Sequence, residues 1–149
     1  MLMKRDGTRI VILDSQSINY NSYSDVVEVV NDEDEIINKL KSIRREFEER
    51  VVNGNRNRIV IFIDEIYEII KNDISVKDDI NYLLEVGSSM NIHIIMSTDS
   101  VLDEDISYLF DKDDISKLCF YLTSRNEYNR FLDEYVDESL GKDAIYIWW

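Results

Sequence analysis

Residues 58–66 read RIVIFIDEI: an arginine, five consecutive apolar residues from Ile59 to Ile63, then Asp64, Glu65 and Ile66. An apolar run of that length, closed by two acids, is the pattern of a strand buried on both faces. Such strands belong to parallel sheets covered by helices. Two similar runs flank it. RIVILD at 9–14 ends in Asp14, and IHIIM at 92–96 is followed by Ser97, Thr98 and Asp99. Amphipathic segments separate the three. The fold predicted is α/β, a mainly parallel sheet with helices on both faces.

The longest helix is expected in NDEDEIINKLKSIRREFEERVVNG at 31–54. Ile36, Leu40, Ile43, Phe47 and Val51 recur there at helical spacing. Asn31 is the expected N-cap, the acids at 32–35 suit the positive end of the helix dipole, and Asn53-Gly54 stops the helix. Further helices are predicted over 65–71 and about 77–90, the second with Ile80, Leu83, Leu84 and Gly87 inward. A short helix is expected within the acidic segment 103–114, and another over 127–135. Residues 117–122 and 143–149 supply a fourth and a final strand, while 15–25 reads as a polar, tyrosine-containing loop. With no proline, repeat or low-complexity tract, residues 1–149 read as one domain.

Charge and composition exclude several functions. The chain carries 17 Lys and Arg against 31 Asp and Glu, a net charge of −14. Nucleic-acid binding draws on basic residues that neutralise phosphates. Arg56-Asn57-Arg58 is too short a patch for that, so direct nucleic-acid binding by this chain alone is not expected. The acidic balance suits a solvated surface or a basic protein partner. The longest apolar run, residues 144–149, is far short of the ~20 residues of a membrane helix, and the N-terminal residues lack a signal-peptide core. A single cysteine, Cys119, forms no internal disulfide, and a cytoplasmic protein is expected, held at a membrane only through partners.

In open parallel sheets ligands gather beyond the carboxyl ends of the strands. Three strands here end in polar residues: Asp14, Asp64-Glu65, and Ser97-Thr98-Asp99. Asp64 is the residue type to hold magnesium through water. Glu65, one residue on, is placed to activate an attacking water, and Thr98 to sense a terminal phosphate. That is the positioning and charge stabilisation phosphoryl transfer needs. The plainer alternative is two acids capping the next helix. The phosphate cradle is missing: of the glycines at 7, 54, 87 and 141 only Gly141 precedes a Lys, with Val136 and Asp143 where the P-loop needs Gly and Ser or Thr. Residues 111–115 lack the spacing and the Gly of an EF-hand.

Several segments, in order, resemble the later part of the FtsK/SpoIIIE motor domain, a family of DNA translocases with a divergent branch in type VII protein secretion. RIVILDSQ resembles the family's second strand, matching its Asp at Asp14 but not the Pro-Lys that follows. EFEER at 46–50 is similar to its Glu-Met-Glu-Arg-Arg, Asp64-Glu65 to its Walker-B acids, and NIHIIMST at 91–98 to its Gly-Ile-His-Leu-Ile-Leu-Ala-Thr. FYLTS at 120–124, RFLD at 130–133 and LGKDAIY at 140–146 resemble its closing segments, with one Gly lost. The resemblance covers roughly residues 9–147 and implies a RecA-like fold truncated on its N-terminal side, before the P-loop strand.

By that resemblance Asp14 and Asp99 would line the cofactor site, Asp64 hold magnesium, Glu65 activate water and Thr98 act as sensor. Asp99 stands where the family has Gln, and a carboxylate there repels a γ-phosphate unless a cation intervenes. Mg-ATP is therefore expected only if a P-loop is supplied from elsewhere. The partners implied are protein subunits of a translocation machine, homo-oligomers included. His93, Cys119, Arg125 and Arg130 read as structural.

Three functions are compatible with these residues. One is a degenerate or partial motor module that does not hydrolyse ATP alone and acts through subunit contacts. Another is an ATPase half whose P-loop comes from a preceding segment or a partner. The third is a receiver-like phosphoacceptor built on Asp14, Asp64 and Thr98. Loss of a P-loop strand would open a gap in the sheet; either the strands close up, or residues 144–149 or another chain fills the slot.

Overall fold

A computed structural model of the chain describes residues 7–16, 20–98, 104–110, 118–119 and 146–147. The chain divides into two compact units, 1–98 and 99–149.

The first unit is an α/β layer. Its elements run β1 (Arg9–Asp14), β2 (Glu28–Val30), α1 (Glu33–Asn53), β3 (Ile59–Asp64), α2 (Ile66–Asn72), α3 (Val76–Val86) and β4 (Ile92–Met96). Every pairing in the four-stranded sheet is parallel, in the order β2-β1-β3-β4. The chain thus leaves β1 for one side, then crosses back over it to β3. A point where consecutive strands depart in opposite directions leaves a crevice at the carboxyl ends. The sheet is contiguous, and among the described residues β4 pairs only with β3.

Each strand alternates between two faces. Val11, Leu13, Ile59, Ile61, Ile63 and Ile92 share one face and are essentially fully buried. Right-handed crossovers from β2 to β3 and from β3 to β4 run the same way across the sheet, which puts α1 and α3 together on that face. They pack on each other there: Phe47 meets Tyr82 edge to face with ring centroids 5.4 Å apart, and Arg44 lies over the Tyr82 ring and pairs with Asp79 at 2.6 Å. On the opposite face Ile12 and Val60 are buried, but Phe62 and Ile95 remain 38% and 43% exposed.

Helix α1 follows its sequence pattern with two differences. The N-cap is Asp32 rather than Asn31; its side chain accepts from the Glu35 N–H at 3.1 Å. The inward residue of the last full turn is Arg50, not Val51, which is 54% exposed. Arg50 turns inward because acceptors wait for it. It donates to Glu46 Oε1 and to the carbonyls of Asn57 and Met90, at 2.6 Å and 3.1 Å for the two carbonyls. Gly54 ends the helix at φ 74°, where a Cβ would be strained. The predicted helix over 77–90 is α3 followed by a 3-10 turn, Gly87–Met90. Gly87 packs closely on β4 there: an added Cβ would lie 3.1 Å from the Ile92 carbonyl oxygen, so that backbone would have to shift by a few tenths of an ångström.

His93 is exposed, and its ring nitrogen is satisfied by Asn91 Oδ1 at 3.0 Å. Strand β2 has no counterpart in the sequence reading.

In the second unit, α4 (Glu104–Phe110) falls in the acidic segment as expected, with Ile106 and Leu109 buried. The described parts of the last two expected strands, β5 (Leu118–Cys119) and β6 (Tyr146–Ile147), pair antiparallel with each other. Among the described residues the parallel sheet consists of β1 to β4, which adjoin one another without a gap. The helix expected over 127–135, with Arg125 and Arg130, lies outside the described residues. Among the described residues no helix is long and apolar enough to cross a membrane.

Candidate functional site

Asp14 and Asp64 are the last residues of β1 and β3 and are partners in the strand register. Two residues at one register position of adjacent strands project to the same face, and the strands lie about 4.8 Å apart. Asp14 and Asp64 therefore lie on one face, side by side at the crossover point of the sheet. The apolar residues before them fix this position: burial of Leu13 and Ile63 on the helix-covered face turns the next residue to the other.

The two acids differ in surroundings. Asp14 is 1% exposed; its Oδ1 accepts from the Gln16 N–H at 3.2 Å, while Oδ2 is buried and accepts no hydrogen bond. Asp64 is half-buried. Its Oδ1 accepts from the Ser97 hydroxyl at 2.6 Å, and its backbone carbonyl from the Ser15 hydroxyl at 3.2 Å. The Tyr20 side chain lies near both carboxylates. Burial, then the charges of Asp64 and Asp14, push the Tyr20 hydroxyl above its usual range. No described Lys, Arg or His forms an ion pair with either acid; the ion pairs of this unit lie elsewhere.

Glu65 adopts a left-handed backbone, φ 52° and ψ 63°, at the N-cap position of α2. Its side chain makes no capping hydrogen bond, so helix capping does not account for this acid. The conformation is unfavourable for a residue with a side chain and is held from β4. The Ser97 hydroxyl accepts from the Glu65 N–H at 3.1 Å, and the Ser97 carbonyl accepts from the Ile66 N–H at 2.9 Å. Ser97 thus ties both acids of β3 to the tip of β4.

Of the residues singled out from sequence, Asp14, Asp64 and Glu65 come together at the strand ends. Thr98 follows β4 and is half-buried, but the hydroxyl that reaches Asp64 is that of its neighbour Ser97. Asp99 lies outside the described residues. Ser97 and Tyr20 were missed as site residues. Ser97 had a signal, as part of a polar strand end; Tyr20 had none beyond an aromatic in a polar loop. Among the described residues no three His, Cys, Asp or Glu side chains converge as a metal cluster. Two carboxylates with water suit magnesium, which keeps much of its hydration.

No protein-family model matches this chain, and no curated protein sequence matches it.

Proposed function

We propose that this chain is a motor-like module, similar to part of an FtsK/SpoIIIE translocase domain, that contributes the acidic half of a magnesium–nucleotide site and acts through contacts with other protein subunits. It does not hydrolyse ATP alone. The observation that carries the reading is the placement of Asp64 and Glu65 at the end of β3, between Asp14 on β1 and Ser97 on β4. Asp64 would hold the magnesium, whose charge would draw the phosphates; Glu65 would face the attacking water. Nothing in the 149 residues supplies the G-x-x-x-x-G-K-[ST] cradle. Two features support completion by another segment or subunit: β4 pairs on one side only among the described residues, and the sheet face bearing Phe62 and Ile95 keeps both exposed. Unpaired strand edges and exposed apolar faces favour association. The test is ATP turnover by the chain alone and mixed with a P-loop-bearing subunit from its own source. The proposal expects none alone and turnover in the mixture that Asp64→Ala abolishes. Turnover by the chain alone refutes it.

The strand order favours a second reading. The order β2-β1-β3-β4 is also that of doubly wound folds that bind ligand at the β1/β3 crossover, receivers among them. In that reading Asp64 accepts a phosphoryl group. Incubation with acetyl phosphate and magnesium would then add the mass of one phosphoryl group to Asp64.

A further inference from the structure

We infer that the open sheet face over β3 and β4 is the docking surface for one basic amphipathic helix of a partner protein, its apolar side on Phe62 and Ile95 and its cationic end at the strand-end acids. This gives a chemistry to the partner that the motor-module reading leaves open, but it stands on the sheet and needs no nucleotide site.

Parallel sheets occur with both faces covered. Here α1 and α3 cover one. Strand β2 lies on the far side of β1 from β3, so the right-handed crossover from β1 to β2 runs over the opposite face. That connection, described over residues 20–27, serves the β1 side of the sheet. Ile12 and Asp14 of β1 and Val60 of β3 are buried on this face. The cover stops there. Phe62 and Ile95 are cross-strand partners and stay 38% and 43% exposed. His93, the partner of Val60, is exposed beside them. What is open is a strip along two strands with an apolar centre, and such patches mark interaction sites.

Size and charge select the occupant. Two strands lie about 5 Å apart and β3 runs about 20 Å, which is the footprint of one helix of about 13 residues. Residues 86–98, β4 among them, contain no Asp, Glu, Lys or Arg. Asp64 and Asp14 close the carboxyl end of the same face, and no described basic side chain pairs with either. The strip thus has an uncharged middle and an acidic end, in a chain of net charge −14. A helix with an apolar stripe and Lys or Arg at the end over Asp64 complements both. A second copy of this chain would bring acids to acids.

The experiment is fluorescence anisotropy of a dye-labelled peptide of about 18 leucines and lysines, patterned as one amphipathic helix, titrated with the full chain at physiological salt. Two control peptides are compared: the same leucine pattern with glutamate for lysine, and the same composition scrambled so that no apolar stripe forms. The wild type is expected to bind the first at least about tenfold more tightly than either control. Ile95→Lys and Phe62→Ser should each weaken that binding by about tenfold or more, as central interface contacts do. Asp64→Asn should weaken it a few-fold, as loss of a partly solvated ion pair does. Asp78→Asn, an exposed acid on α3, should leave it unchanged. Thermal melts show whether each variant folds; should Phe62→Ser not fold, Ile95→Lys carries the test. Equal binding of the scrambled peptide, or binding untouched by Ile95→Lys, means attraction to scattered acids only and overturns the inference, as does no binding. A dimer in sedimentation that Ile95→Lys dissolves would assign the face to a second copy and overturn it too. Because no nucleotide is present, failure here leaves the ATP experiments to judge the half-site reading separately.

Discussion

Replacing Arg50 by methionine isolates the guanidinium of the most buried basic side chain described. Arg50 is 3% exposed and its four hydrogen bonds split into two groups. Nε and one terminal nitrogen reach Glu46 Oε1 at 3.2 Å and 2.8 Å. The other terminal nitrogen reaches the carbonyls of Asn57 and Met90. Methionine keeps most of the apolar stem, so the loss is that of the charged head. Glu46 retains Arg9 at 2.8 Å and is not left alone, which lowers that part of the cost to about 1 kcal/mol. Asn57 is exposed and water can replace its bond; the Met90 carbonyl is half-buried and loses a charge-assisted bond, about 1.5 kcal/mol. The total is about 2–3 kcal/mol, below the 3–5 of a buried pair broken outright. Urea unfolding followed by circular dichroism measures it, with an unchanged slope showing that the denatured state is the same. Lys71→Met, which removes an exposed pair with Glu68, is the reference and should cost almost nothing. If Arg50→Met costs no more than Lys71→Met, the guanidinium does not fasten the end of α1 to the turn before β4.

Three other outcomes follow from the same contacts. Burial acts to raise the Glu46 carboxyl, but hydrogen bonds from Arg50 and Arg9 outweigh it and hold the group below its ordinary value. Its stabilisation is therefore complete above the unfolded value of about 4.3 and is lost as pH falls through the lower folded value; Glu46→Gln should be less stable than wild type at neutral pH, with the gap in urea midpoints closing in acid. The two sheet faces should respond unequally: Ile61→Ala, at 0% exposure, should cost about 3–4 kcal/mol and Phe62→Ala, at 38%, about 1–2, and equal costs in urea unfolding would contradict the open face. Ser97→Ala should destabilise by about 1 kcal/mol, since it removes both the donor to Asp64 and the acceptor of the Glu65 N–H; a neutral result in thermal melts would show that the left-handed Glu65 is not held from β4.

The parallel strands and the long helix were legible because their side chains repeat with the period of the element. Ile59 to Ile63 are apolar without a break, and Ile36, Leu40, Ile43 and Phe47 step by four and three. The next step fell equally well on residue 50 or 51, and the choice of Arg50 rests on carbonyls of distant turns that no local pattern reveals. Strand β2 escaped because three residues with only Val30 buried carry too little periodicity. In the site, Asp14, Asp64 and Glu65 were legible as acids ending apolar strands. Their pairing required the register of β1 against β3. The role of Ser97 over Thr98 depends on which of two adjacent hydroxyls faces β3, and the nearness of Tyr20 to both acids has no local pattern behind it.

The central claim is that this chain holds the acidic half of a nucleotide site and not the phosphate cradle. Isothermal calorimetry of the isolated chain with ATP, magnesium held saturating so that ion binding contributes no heat, tests it most directly. The account predicts no saturable binding at micromolar nucleotide, in wild type and Asp64→Ala alike. Micromolar ATP binding by the wild type, lost in Asp64→Ala, would show a complete site within these residues and contradict it.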